Sequence, residues 1–359
     1  MPALFDPITL RSMTVRNRVW LAPMCQYSAV DGLPGDWHLV NLGARAVGGF
    51  GLVLTEAAAV TANGRISPED AGIWNDEHAQ AWSRIVDFVH GQGAKIGVQL
   101  AHAGRKASTY RPWAPARGSV PQDDGGWVSS GPSDLAYPGY AAPQELTTAG
   151  VADVVRAFAD AARRAVDAGF DTMELHAAHG YLLHQFLSPL SNRRDDAYGG
   201  SFEGRVRVVV ETVDAVRAVI PDPMPLLVRI SGTDWLDGGW DLEQSVRLSV
   251  LLREHGVDLV DVSSGGNAPA SIPVGAGYQV PLAAGVRSGA DVPTGAVGLI
   301  SEPTQAEKIV ANGEADVVLL ARASLREPAW PLRAAHELGV AMEDAPWPDQ
   351  YTRGAWPTA

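Results

Sequence analysis

His176, His179 and Tyr181 stand within one short stretch of the 359-residue chain, directly after an apolar run at 170–175 with the β-propensity of a buried strand. Two imidazoles offer nitrogens that need carry no charge at neutral pH, and a phenol offers a proton. Such a set suits an enzyme that holds a carbonyl or nitro oxygen while a neighbouring carbon is protonated. Taken singly, each His is more often a satisfied structural residue. The His-x-x-His spacing lacks the Glu and the i, i+4 geometry of the helical zinc motif, and no cluster of further ligands lies nearby, so no metal is expected.

A chemical set at a strand end needs a fold that gathers strand ends. Apolar strand signals at 19–22, 51–57, 95–101, 170–176, 226–231, 258–263, 294–298 and 316–321 are interleaved with helical spacing at 36–47, 75–91, 148–169, 203–219, 241–255, 303–312 and 327–338. Eight such alternations predict an α/β fold, a (β/α)8 TIM barrel, with a doubly wound sheet as the alternative. Residues 8–19 read as an N-terminal hairpin. Residues 107–147, rich in Pro, Gly, Ser and Trp, are too long for an ordinary connection and are expected to form a lid after the third strand. The whole of 1–359 is expected to be one domain. A barrel places its functional residues at and just after the strand ends, and Cys25, Tyr27, Ala58, Gln99, Lys106, His176, Tyr181 and Arg322 fall there, with Arg229 on the fifth strand itself.

Composition narrows the partners. Hydrophobic residues make up 46% and charged residues 19%, enough to bury a large core. A net charge of -13, with scattered Lys and Arg, opposes nucleic acid. The N-terminus lacks a basic-then-apolar leader and no apolar run nears the roughly 20 residues of a membrane span, so a cytoplasmic location and no membrane partner are expected. Cys25 is the single cysteine, which excludes an intramolecular disulfide.

With these residues placed, the chain resembles the Old Yellow Enzyme family of flavin-dependent ene-reductases over essentially its whole length. The resemblance is carried by APMCQY at 22–27, QLAHAGRK at 99–106, HAAHGYLLHQFLSPLSNRRDDAYGGSFEGR at 176–205, VRIS at 228–231 and QYTRG at 350–354. Cys25, the paired histidines and the last motif are similar to the thermophilic-like branch, in which the barrel binds FMN and subunits share active sites. The resemblance implies an NADPH dehydrogenase, with NADH as the other candidate reductant. It would reduce the C=C bond of activated alkenes (α,β-unsaturated carbonyls, maleimides, nitroalkenes) by ping-pong kinetics. No GxGxxG follows a strand, which fits a nicotinamide docking on a flavin.

The same resemblance assigns roles. Gly298, Leu299, Ala321 and Arg322 would meet the FMN phosphate, at the usual phosphate position of a barrel; Ala321 departs from the Gly of many relatives. Ala22, Pro23, Met24, Cys25, Ala58, Gln99 and Arg229 would surround the ring system. There Gln99 would pair with the pyrimidine edge, and the charge of Arg229 would favour the anionic reduced flavin. Cys25 would be a weak donor beside N5 and O4, against the readings of nucleophile, redox sensor or small core residue. His176 and His179 would hold the substrate oxygen and Tyr181 would protonate the α-carbon. Tyr27 and Lys106 would line the substrate pocket, with a surface ion pair as the rival role for Lys106. Arg353, in a tail at 346–359, would reach a neighbouring subunit's site, with Trp356 helping to wall it, in a homodimer or tetramer. The competing functions are a non-flavin barrel lyase or aldolase, an FMN-binding protein without turnover, and a dienoyl-CoA reductase type, whose iron–sulfur cysteines this chain lacks.

Overall fold

The structure, a computed structural model, describes residues 1–356. Eight parallel strands close a barrel: β1 Val19–Leu21, β2 Leu52–Ala59, β3 Lys95–Ala101, β4 Thr172–Ala177, β5 Leu226–Ser231, β6 Leu259–Ser263, β7 Thr294–Ala296 and β8 Val317–Leu320. They follow one another in chain order around the ring, which closes where Val318 of β8 pairs with Val19 of β1. The helices between them are α1 Asp36–Val47, α2 Asp76–Gly91, α3 Thr148–Asp167, α4 Phe202–Arg217, α5 Leu242–Glu254, α6 Val280–Ala290 and α7 Pro303–Ala311, with α8 Trp330–Glu337 after β8. Ile8–Leu10 and Met13–Val15 form the expected hairpin.

Strand alternation builds two apolar layers. Val53, Val98, Leu175, Val228, Ile230 and Val262 face outward into the layer between strands and helices. Trp20, Leu52, Leu54, Leu227, Leu259 and Leu319 form a separate cluster inside the barrel. The period-2 pleat then obliges the intervening polar residues Gln99, Glu174, Arg229 and Asp261 to point inward. Side-chain oxygens of Asn75, Thr147, Ser201 and Asp241 cap the starts of α2 to α5.

Three helices lie outside the sequence reading. Leu182–Leu187 and Arg322–Arg326 are short and sit directly after β4 and β8. α6 carries Gly285 and Gly289, which depress its helical signal, and packing explains both. A Cβ at Gly289 would lie 2.7 Å from Val246 of α5, and one at Gly285 3.0 Å from Leu242. Among the described residues, no helix is long and apolar enough to cross a membrane.

The insertion at 107–147 is tied down over the strand ends. Thr109 Oγ1 and Trp127 Nε1 donate to the carbonyls of Ile66 and Asn63, and Arg194 Nη1 donates to that of Pro132. Its two short strands, Ser130–Gly131 and Gln144–Glu145, pair with each other.

Candidate active site

Side chains from the loops after the first four strands meet at the C-terminal mouth. Ala57, Ile66, Ala101, Ala103 and Ala107 form a small apolar cluster against which Cys25, Trp127 and Tyr181 pack. Trp113, from the insertion, meets the Tyr27 ring edge-on at 5.5 Å, and Tyr137 lies under the Lys106 ammonium at 4.9 Å. The insertion thus walls the mouth with aromatic rings.

The β4 loop brings its three predicted residues together. The ring of His176 lies 5.2 Å from that of His179 and 5.0 Å from that of Tyr181, edge-on to both. Gly180 and Gly266 let this loop approach the β6 loop backbone to backbone, since a Cβ on Gly180 would fall 2.2 Å from the Gly266 carbonyl oxygen. The Gly180 N–H donates to His184 Nδ1, whose Nε2 lies 3.1 Å from Asp234 in the core. His179 has φ of +58°, and Ser231 Oγ accepts its N–H.

Burial first, and the nearby Arg229 charge second, hold both His176 and His179 well below the ordinary histidine range. They are neutral rings. His176 Nδ1 accepts the Ala178 N–H at 3.3 Å, which puts its proton on Nε2. His179 Nε2 lies 2.7 Å from Ser263 Oγ. Ser263 Oγ donates to Gln279 Oε1 at 3.2 Å, so the His179 proton is on Nε2 and faces the Ser263 oxygen. Burial raises Tyr181 well above the phenol range, so it stays protonated, and burial does the same to the Cys25 thiol, helped by Asp70 and Glu56.

Beneath them the polar residues of the barrel interior form a chain across four strands. Gln99 Nε2 donates to Glu174 Oε1 at 2.7 Å, and Arg229 Nε lies 3.0 Å from Asp261 Oδ2. Burial, then the facing Asp261, raises Glu174 above the carboxylate range. Burial raises Asp261 as well, against the pull of Arg229. Two carboxylates here therefore share protons and offset the arginine's charge. Neither Glu174 nor Asp261 was singled out from the sequence, although a lone acid inside an apolar strand, TMELHA and LVDVS, was the available sign.

At the far side of the mouth, Gly298 (φ +110°) and Leu299 (φ +54°) turn beside the short helix opened by Arg322. Arg322 and Arg326 are exposed, have no ion-pair partner among the described residues, and line one cavity with Ser263, Gln279, Gly298 and Ala321. Arg326, one turn beyond Arg322, was missed by the sequence reading. Free cations beside a glycine turn, and a donor–acceptor floor, fit the phosphate and the planar ring of FMN. Ala22 and Ala58 are buried, and Ala58 packs its methyl into the outer layer, so only its backbone can face the mouth. Pro23 and Met24 continue from β1 into the same loop.

Lys106 has no acidic partner among the described residues; its Nζ donates to the carbonyls of His179 and Gly266. That removes the surface ion pair. In the tail, Trp356 stacks on His336 of its own chain at 5.1 Å, and Arg353 is exposed in the turn Asp349–Gly354. Within one chain the tail does not join the mouth. Residues 357–359 of the predicted tail lie outside the described residues.

Comparison with known proteins agrees with the barrel fold. The profile of the NADH:flavin oxidoreductase / NADH oxidase family matches residues 3–340. The chain is 47% identical to a Geobacillus sp. (strain WCH70) NADPH dehydrogenase over 354 residues, 98% of each chain. It is 43% identical to the NADPH dehydrogenase of Bacillus subtilis (strain 168), again over 98% of each. Morphinone reductase superposes with a TM-score of 0.79 at 29% identity, covering 98% of this chain and 92% of that one. The chain belongs to the NADH:flavin oxidoreductase / NADH oxidase family, of the Old Yellow Enzyme type, and is an FMN-dependent, NADPH-oxidising enzyme.

Proposed function

We propose that this enzyme reduces the C=C bond of activated alkenes: α,β-unsaturated carbonyls, maleimides and nitroalkenes. The observation that carries the reading is the grouping of His176, His179 and Tyr181 around one point of the mouth, two neutral rings and a protonated phenol. FMN, when bound, supplies the hydride that it takes from NADPH. His176 Nε2–H, beside the neutral ring of His179, donates to the substrate's electron-withdrawing oxygen and stabilises the negative charge that develops there. Tyr181 O–H protonates the α-carbon, and burial keeps that proton in place at working pH. Trp113, Trp127 and Tyr137 narrow access for water. Gly298, Leu299, Ala321, Arg322 and Arg326 hold the phosphate, while Gln99 and Arg229 meet the ring edge. Cys25, a protonated thiol, tunes rather than attacks.

A second copy of the chain completes this site. Trp37, Val40 and Tyr351 are 58%, 66% and 56% exposed, and Val40, Phe88, Leu332 and Tyr351 line an apolar groove beside the tail. Covering this face in a homodimer or tetramer would bring Arg353 to a neighbour's mouth. Anaerobic incubation with NADPH and 2-cyclohexenone tests the activity: one saturated ketone per NADPH consumed supports it, and NADPH consumption that requires oxygen refutes it.

A further inference from the structure

Glu56 is a carboxylate in the middle of a strand that is apolar but for Thr55 beside it, 3% exposed, and the activity proposed above does not use it. It sits at a β-bulge. Leu54 pairs with Gly97 and Ala57 with Gln99, so Thr55 and Glu56 together oppose Val98 alone. Thr55 stitches the bulge: its hydroxyl accepts the Gln99 N–H at 3.2 Å and donates to the Glu56 carbonyl at 2.8 Å. The extra residue turns Glu56 away from the ladder toward the loop after β1 and the first turn of α1.

One hydrogen-bond donor and one close imidazole nitrogen meet its carboxylate. Oε2 accepts the backbone N–H of Gln26 at 3.0 Å. Oε1 lies 2.9 Å from His38 Nε2, close but outside hydrogen-bond geometry, and among the described residues neither atom has a hydrogen-bond partner. His38 Nδ1 accepts the Gly35 N–H at 3.0 Å, so the ring's proton is on Nε2, the nitrogen beside Glu56. Gln26 is held from a third side, by Trp37 Nε1–H on its Oε1 at 3.0 Å, and its own Nε2 donates to the Met24 carbonyl at 2.8 Å. The Gln26 N–H needs an acceptor, and the oxygen beside the His38 Nε2–H is an acceptor as well. An amide in place of the carboxylate would turn an NH2 toward one of the two.

Gln26 lies between Cys25 and Tyr27, and Tyr27 is held at φ of +51°. We propose that Glu56 is a positioning residue that, through the Gln26 N–H and His38, fixes the Cys25–Tyr27 loop to the first turn of α1 and so sets where the thiol and the phenol stand at the mouth. The proposal rests on the reading that these two residues border flavin and substrate. It also links the mouth to the helix whose Trp37 and Val40 face is uncovered in one chain.

Cys25 is the only cysteine, so a thiol reagent reads this loop alone. The test is the rate of Cys25 alkylation by iodoacetamide, followed by intact mass on the FMN-loaded enzyme, with the KM and kcat for 2-cyclohexenone. Glu56→Gln should label about fivefold faster than the wild type and raise KM by a similar factor with a smaller change in kcat, while melting within a few degrees of it. His38→Gln, which keeps a donor facing Glu56, should stay close to the wild type, whereas His38→Ala should behave as Glu56→Gln. Labelling and KM at wild-type values in Glu56→Gln overturn the proposal. If that variant does not fold, Trp37→Phe decides: faster labelling of Cys25 supports the tether and an unchanged rate overturns it. Labelling of the wild type with and without FMN separates the two claims, because a rate indifferent to FMN removes the reading of Cys25 beside the flavin while the Glu56 result still judges the tether.

Discussion

Lys106 Nζ lies 2.8 Å from the carbonyl oxygen of His179, and the same ammonium reaches the Gly266 carbonyl at 3.0 Å. One cation thereby clamps the β4 loop to the β6 loop, at the place where the Gly180 and Gly266 backbones touch. Burial, with Arg105 adding to it, lowers this lysine to about 8. Lys106→Met should lower kcat/KM for 2-cyclohexenone by about tenfold, since the charge-assisted bonds that tie the β4 loop to the β6 loop are lost. The wild type should also show a rise in KM above about pH 8 that the variant lacks, because the ammonium is the form lost as pH rises. Steady-state kinetics from pH 6 to about 9 check both.

Tyr181 is the proposed acid, and its phenol is buried beside Cys25 and Tyr27. Tyr181→Phe should slow reoxidation of the reduced enzyme by 2-cyclohexenone by roughly 10²-fold and leave reduction by NADPH near the wild-type rate. Equal loss in both half-reactions would instead mark Tyr181 as a residue that holds the flavin or the loop.

Asp70, which accepts the Ile66 N–H and the Ser67 hydroxyl, is pushed up to about 7 by burial and by Glu56. Between its ordinary value of 3.8 and about 7, the native chain keeps a proton that the unfolded chain releases. Its contribution to stability is therefore full at low pH and lost as pH rises through that window, by up to about 1.4 kcal/mol per unit. Urea unfolding at pH 5 and pH 8 should show a smaller pH difference in Asp70→Asn than in the wild type.

The tail carries a prediction about assembly. Truncation after Pro348 removes Tyr351 and Arg353, and it should lower kcat/KM while leaving the FMN content of the folded barrel unchanged. Wild-type efficiency in the truncated enzyme, or a monomer by light scattering at full activity, would remove the shared site.

The barrel was legible because its strands are short apolar runs separated by capped helices, and the mouth because polar residues cluster where those runs stop. α6 escaped because Gly285 and Gly289, which its packing on α5 demands, erase the helical signal. Glu56, Glu174 and Asp261 escaped for a different reason: a lone acid in an apolar strand reveals that it is unusual but not which donor it meets. Their partners come from other strands, from the loop after β1 or from α1, brought to them only by the folded barrel. Arg326 was within reach, one helical turn from Arg322. Arg353 was placed by motif, and a single chain holds no neighbour for it to reach.

The central claim, an enzyme that takes hydride from NADPH and gives it to an activated alkene, is tested most directly by anaerobic stopped-flow absorbance. The purified protein should be yellow, bleach on mixing with NADPH, and recover its colour on mixing with 2-cyclohexenone in the absence of oxygen. A protein that bleaches but recolours only when oxygen is admitted would contradict the alkene-reducing role, and one that is colourless and takes up no FMN would contradict the flavin site itself.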